Sequence, residues 1–330
     1  MITTGIAITG CGSATPSVLL DNHGLSQRVE TSDEWITSRT GIATRRLADP
    51  NTSLSTLALS AAQAAITMAH IDPAEIDLII LATSTADDLF GSASLIQAQL
   101  GATKAVAFDM TAACSGFVFG LVTASQFIRT GVYQTVLLIG ADILSRWVDW
   151  SDRTTCILFG DGAGAVILQA DECDHLLGFE IRSDGKQNQS LNLSYHPQQT
   201  EILPGITITQ GNYHLIRMNG KEIYRFAVQK VPEVIEKALF KANLTVDQID
   251  WLILHQANQR ILDAVAERLN IPSEKVISNL AKYGNTSAAS IPLALDEAVR
   301  DGKIKPGDRI MTSGFGAGLT WGAALFEWGR

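Results

Sequence analysis

Positive charge is scarce in this chain. Across 330 residues, 25 Lys and Arg stand against 34 Asp and Glu, a formal net charge of −9. A surface of that sign has no general affinity for nucleic acid, and an acidic protein partner would have to meet a local basic patch. Cysteine is scarcer still. Cys11, Cys114, Cys156 and Cys173 are scattered, with no CxxC or His-rich spacing, which argues against a disulfide framework and against a zinc site. Long apolar runs are missing as well: no stretch reaches the roughly eighteen uncharged residues of a membrane span. The first charge is Asp21, so no basic segment introduces an apolar leader. The expectation is a cytoplasmic enzyme that binds no nucleic acid and no membrane. Apolar material is ample at 46% of residues, enough for one large fold made of two halves.

One cysteine stands at a junction. Ala105-Val106-Ala107-Phe108-Asp109-Met110 reads as a strand, and Gly116-Phe117-Val118-Phe119-Gly120-Leu121-Val122, apolar on every side, as a buried helix. Cys114 lies between them. At a helix N-terminus, unpaired N–H groups and about half a unit of positive charge favour the thiolate, so the position suits a nucleophile. It equally suits a small apolar core residue.

The chain also matches itself. Ala65 to Leu81 (AITMAHIDPAEIDLIIL) aligns without a gap to Ala238 to Leu254 (ALFKANLTVDQIDWLIL), each a helix, a turn and an apolar strand. Cys114-Ser115-Gly116 … Arg129-Thr130-Gly131 overlays Asn285-Thr286-Ser287 … Arg300-Asp301-Gly302, and Gly164–Leu168 overlays Gly322–Phe326. Three blocks in the same order indicate a duplicated domain. Strands alternate with helices in each half, predicting an α/β fold of mostly parallel, buried sheets covered by helices. The halves are expected at 1–180 and 181–330, with the polar stretch Asp184 to Thr200 an excursion of the second. Two Gly-rich runs, Gly160–Gly164 and Gly314–Gly318, lack the helix that a dinucleotide loop requires. They are expected to be tight turns between strands that bring backbone close to a substrate.

The repeat sets Cys114 and Asn285 at matching points, each expected after an extended segment and at the start of a helix. His255 opens the loop after the strand Trp251–Leu254, where parallel sheets collect ligands. Singly, His255 suits a structural hydrogen bond and Asn285 an N-cap; jointly they suit catalysis with Cys114.

With these residues in place, the chain resembles the β-ketoacyl-acyl carrier protein synthase III family of the thiolase superfamily over almost its full length. The matching motifs are Thr31-Ser32-Asp33-Glu34-Trp35-Ile36, Ser38-Arg39-Thr40-Gly41-Ile42, Ala113-Cys114-Ser115-Gly116, Gly160-Asp161-Gly162-Ala163-Gly164, His255-Gln256-Ala257-Asn258, Gly284-Asn285-Thr286-Ser287-Ala288-Ala289-Ser290 and Gly314-Phe315-Gly316-Ala317-Gly318-Leu319-Thr320-Trp321-Gly322. The resemblance implies a thiolase-like fold, two similar halves layered α-β-α-β-α. It implies that Cys114 takes an acyl group from acyl-CoA, most simply acetyl-CoA, with the backbone N–H groups of Cys114 and Ala317 as the oxyanion hole. It implies that His255 and Asn285 support decarboxylation of malonyl-acyl carrier protein, and that no metal or other cofactor is needed.

By the same resemblance Trp35 and Arg153 sandwich the adenine of CoA, Arg39 meets its phosphates and Asn258 its pantetheine arm. Arg225, Arg260 and Arg268 form the patch for the carrier protein, Phe315 shapes the acyl pocket, and Phe90 reaches into the pocket of a neighbouring subunit in a homodimer. Alternatives of the same fold are a secondary-metabolism ketosynthase or an acyltransferase; a non-catalytic carrier-protein-binding subunit is an alternative of another class, which the presence of Cys114 disfavours.

Overall fold

The computed structural model describes residues 4–329. Its first sheet runs, edge to edge, Gly5–Ala14, Gly162–Asp171, Thr135–Asp142, Leu78–Ala82 and Val106–Met110. The second runs Leu176–Ser183, Thr320–Glu327, Arg309–Gly316 and Trp251–Leu254. The two orders correspond strand for strand. The fifth strand has only a trace of a counterpart, a single parallel bridge between Leu252 and Val276. The strand Leu176–Ser183 spans residues 180 and 181 and belongs whole to the second sheet.

Most strands of each sheet share one direction, as expected, and one strand in each is reversed. In the first, Thr135–Asp142, Leu78–Ala82, Val106–Met110 and, beyond its antiparallel neighbour, Gly5–Ala14 share one direction, and Gly162–Asp171 alone runs against them. In the second, Trp251–Leu254, Arg309–Gly316 and Leu176–Ser183 share one direction, and Thr320–Glu327 alone runs against them. In the second sheet the reason is local: Gly316 to Thr320 turns the chain straight back as a hairpin, and a hairpin forces antiparallel pairing where a helical crossover would not; in the first, the equivalent reversal follows the longer connection 143–161. The glycine runs behave accordingly. Gly318 sits in that turn, as expected, but Gly162 and Gly164 lie within a strand, so the first run is not a turn between strands.

The repeated Ile-Asp pair has a visible purpose. Asp77 Oδ2 accepts from the backbone N–H groups of Gln134 and Thr135, and Asp250 Oδ2 accepts from that of Arg309. Each carboxylate thus anchors the first residues of the neighbouring parallel strand, in the same place in each half.

Five layers result. The helix Leu54–Ala69 covers the outer face of the first sheet, and the long helix Gly220–Ala242 covers that of the second. Between the sheets lie Gly116–Arg129 and Ser290–Arg300, whose Phe117, Leu121, Ile291 and Leu295 share one core with Leu138, Val166, Ile253 and Phe326. Both central helices begin at the centre of the molecule, where the site lies. The long polar excursion of the second half includes the hairpin of Tyr195–Leu203 with Ile206–Tyr213. Among the described residues, no helix is long and apolar enough to cross a membrane.

Candidate active site

Each central helix is entered through a strained elbow. Ala113 (φ 46°) and Ser287 (φ 52°) both take the left-handed conformation that side chains disfavour, each opens a short 3-10 turn, and each turn runs directly into a helix. The pairing of Ala113 with Ser287 makes Ala288, not Asn285, the counterpart of Cys114. The overlay of Cys114 on Asn285 is therefore three residues out of register here, although Arg129 and Arg300 do both end their helices. Asn285 also follows a short helix, Leu280–Tyr283, and not an extended segment. Its backbone is clamped across the facing loop, donating to Leu158 O at 2.8 Å and accepting from Gly160 N at 3.0 Å.

Despite the slip, Cys114, His255 and Asn285 converge. All three line a cavity of about 430 Å³, together with Arg39, Asn258 and Phe315. Cys114 is buried, and burial pushes its thiol up to about 12. The expected preference for the thiolate at a helix N-terminus is outweighed, so the resting sulfur holds its proton. Ser287 Oγ donates to Cys114 Sγ at 3.3 Å. Behind the nucleophile, Gly316 has no room for a side chain: a Cβ there would fall 2.5 Å from Cys114 N. That contact sets the start of the Ala317–Leu319 turn beside the nucleophile's own N–H.

His255 is also buried, and burial alone lowers its pKa to about 3, so the ring is neutral. Its Nδ1 lies 2.7 Å from Ser290 Oγ. Ser290 Oγ also accepts from Gln256 N at 3.3 Å; with its hydroxyl donating to Nδ1, the ring proton sits on Nε2. Phe315 packs edge-on against the ring, 5.4 Å between centroids. Asn285 Oδ1 accepts from Ser287 N at 2.9 Å, so its NH2 group is the end left to donate. The arrangement is one nucleophile facing two neutral donors.

The other expected residues fall around the mouth. Ser32 caps the helix Asp33–Thr40 by accepting from Trp35 N, which puts Trp35 and Arg39 one turn apart on one face. The guanidiniums of Arg153 and Arg39 lie 5.3 Å and 6.0 Å from the Trp35 ring, so Arg153 stacks on Trp35 directly. The Asn258 amide caps its helix through Arg260 N and donates to Arg39 O. Of the three arginines assigned to a carrier protein, Arg225 is paired with Glu222 at 3.1 Å and Arg268 donates to the carbonyls of Val228 and Gln229. Arg260 lines the cavity and lies over the Tyr224 ring at 5.5 Å. Phe90 is 100% exposed and contributes nothing to this chain's own cavity. Lys221, Tyr224 and Met218 also line the cavity. No motif pointed to Tyr224 or Met218, and nothing in the pattern singled out Ser287 or Ser290 within their conspicuous run.

Comparison with known proteins bears on this site. The family model for "3-Oxoacyl-[acyl-carrier-protein (ACP)] synthase III" matches residues 108–185, and that for the C terminal of the same family matches residues 239–328. The beta-ketoacyl-[acyl-carrier-protein] synthase III of Trichormus variabilis is 74% identical over 326 residues, covering 99% of each chain. Among solved structures, the 3-oxoacyl-[acyl-carrier-protein] synthase III of Aquifex aeolicus matches with a TM-score of 0.90 at 46% identity, over 98% of this chain and 100% of its own. The priming β-ketosynthase of the R1128 polyketide pathway matches with a TM-score of 0.91 at 33% identity, over 99% and 97%.

Proposed function

The chain belongs to the 3-oxoacyl-[acyl-carrier-protein] synthase III family, and on that premise we propose how its residues perform the family's reaction. It condenses an acyl-CoA primer with malonyl-acyl carrier protein, releasing carbon dioxide and giving a 3-oxoacyl-acyl carrier protein, the initiating step of type II fatty acid synthesis. Acetyl-CoA is the proposed primer, and the enzyme is proposed to act in the cytoplasm as a homodimer whose Phe90 enters the partner's acyl pocket. The observation that carries the residue assignments is the convergence of Cys114, His255 and Asn285 on one cavity.

Cys114 Sγ attacks the thioester carbonyl and keeps the acyl group, splitting one hard step into two easier ones. The oxyanion is held by the N–H groups of Cys114 and Ala317; losing one such donor typically costs about 3–4 kcal/mol. CoA then leaves along Trp35, Arg39, Arg153 and Asn258. Malonyl-acyl carrier protein docks through Arg225, Arg260 and Arg268. As its carboxylate departs, the enolate oxygen takes hydrogen bonds from His255 Nε2–H and the Asn285 amide, and neither donor gives up its proton. The carbanion attacks the Cys114 thioester beside Phe315, and the sulfur is freed. The two halves thus divide the work, the first bearing the nucleophile and the second, which opens with the strand Leu176–Ser183 and not at residue 181, the two donors.

The test is acylation with radiolabelled acetyl-CoA. Cys114→Ala is expected to take up no stable label, and undiminished labelling would refute the assignment. His255→Ala and Asn285→Ala are expected to label normally while malonyl decarboxylation falls about 10²–10³-fold each. A priming role in polyketide synthesis is the second reading, favoured by the match to the R1128 enzyme. A primer panel separates the two, since preference for longer acyl-CoA over acetyl-CoA supports the second.

A further inference from the structure

Arg45, on the strand Thr44–Leu47, is the largest fully buried side chain of the described residues, and the chemistry above makes no use of it. Its guanidinium donates to neutral oxygens: Asn22 Oδ1 at 2.9 and 3.0 Å, Ile157 O at 2.8 Å and Leu20 O at 3.4 Å. Burial lowers its pKa to about 10, so it is still a cation at pH 7. A buried cation is costly unless something answers its charge. The answer comes through one amide. Asn22 is 1% exposed; its Oδ1 takes the guanidinium, and its Nδ2 donates to Asp33 Oδ1 and to Ile42 O, both at 2.8 Å. The chain of bonds therefore runs from the Asp33 carboxylate through Asn22 to Arg45, and on to the Ile157 carbonyl. This gives Asp33, a member of the Thr31–Ile36 motif, a part to play.

Ile157 stands next to the clamp on Asn285, in which Leu158 O accepts from Asn285 N and Gly160 N donates to Asn285 O. Arg45 lies directly behind both arms: a Cβ at Gly160 would fall 3.3 Å from Arg45 Cβ, and one at Gly284 3.6 Å from it. Backbone ties seat its strand against the same two arms, Ala43 N donating to Ala281 O at 3.0 Å and Asp161 N to Arg46 O at 2.8 Å. The guanidinium adds a side-chain tie to the carbonyl beside Leu158. We propose that Arg45 is a positioning residue for malonyl decarboxylation: through Ile157 it holds the Leu158–Gly160 segment where the clamp aims the Asn285 amide at the enolate oxygen. The inference rests on Asn285 being a donor in that step. The nucleophile's elbow is supported differently, by the strained Ala113 and by Gly316 pressed against Cys114 N. Loss of the Arg45 donors should therefore separate the two half-reactions, whereas a general loosening of the fold would weaken both.

The experiment compares malonyl decarboxylation by the unacylated enzyme with acylation, followed as the burst of CoA release from acetyl-CoA with malonyl-acyl carrier protein omitted. Acetyl-CoA is kept saturating, because Asp33 opens the helix that carries Trp35 and Arg39. Arg45→Met keeps the buried stem and removes the donors. It is expected to slow decarboxylation about tenfold, as small misplacements of a donor do, and to leave the burst within about twofold of wild type, as two separately held groups require. Added to Asn285→Ala it should slow decarboxylation no further, since the two then act on one group. Unchanged decarboxylation overturns the proposal. So does an equal fall in both half-reactions, or a loss that multiplies in the double variant. Where Arg45→Met does not fold, Arg45→Lys decides by the same readouts: an ammonium cannot reproduce the fork to both Asn22 and Ile157, and decarboxylation should fall about threefold with the burst unmoved. If Asn285→Ala itself decarboxylated at the wild-type rate, the reading of the site would fail, whereas a slow Asn285→Ala beside an unchanged Arg45→Met removes the role of Arg45 alone.

Discussion

His255 shows how burial sets chemistry at a single residue. With a pKa near 3 in the fold and about 6.5 in the unfolded chain, its imidazole is protonated only after unfolding across that window. Below about pH 6.5 the unfolded state therefore binds one proton more than the folded state. Stability is lost as pH falls, by about 1.4 kcal/mol per pH unit from this residue alone. His255→Gln should remove that increment, so the difference between the two stability curves should slope across pH 4–6 and flatten above 7, measured by urea unfolding. A difference curve flat throughout would mean that the ring is solvated. The malonyl decarboxylation rate follows the same logic and should show no acid limb near pH 6.5, since Nε2 stays a neutral donor. None of this is legible in the residue string. The His255-Gln256-Ala257-Asn258 motif points to the residue, but its protonation state is a property of what packs around it, and so is that of Cys114.

At the scale of elements, the two elbows carry the site, and each is pressed by a glycine from the other half. A Cβ at Gly140 would meet Ala288 O at 2.2 Å, whereas at Gly314 it would meet Ser115 Cα at 3.1 Å and Cys114 O at 3.2 Å. The contacts are reciprocal, the glycine of each half against the elbow of the other, but the fit is tighter at Gly140. Gly140→Ala has only backbone to displace and should cost more than the roughly 1–3 kcal/mol of ordinary overpacking. Gly314→Ala should stay within that range while slowing acylation, because the atoms it displaces belong to the nucleophile's elbow. Urea midpoints and the CoA burst check both, and equal destabilisation would contradict the geometry. The same elbows show why the repeat was read three residues out of register. The helix Ser290–Arg300 is shorter than Gly116–Arg129 at its N-terminus, and an ungapped alignment anchored on Arg129 and Arg300 carries that difference to the active site. Backbone strain at Ala113 and Ser287, which fixes the true register, has no letter in the sequence.

For the whole molecule, the duplicated thiolase-like architecture was legible because long apolar strands and helices repeat in order. The one reversed strand in each sheet was not, since it depends on how a connection returns the chain, through 143–161 in the first half and the short turn at Gly316–Thr320 in the second. Net charge acts at this scale as well. A chain of −9 repels an acidic carrier protein at long range, so docking depends on which cations at the cavity mouth remain uncommitted. Arg225 shares its charge with Glu222, and Arg268 is turned onto backbone carbonyls. Arg260 lies against Tyr224 at the cavity itself, its guanidinium oriented by the ring. Arg260→Ala should therefore raise KM for malonyl-acyl carrier protein about tenfold, the equivalent of about 1.4 kcal/mol, with KM for acetyl-CoA and the acylation burst little changed. Arg225→Ala and Arg268→Ala should raise it no more than about threefold, as expected of exposed charges already partnered. Added salt should weaken the wild type towards Arg260→Ala, because screening removes the attraction that the substitution removes. Equal losses at all three positions would instead mean that the carrier protein answers to the summed field of the face and not to one arginine at the mouth.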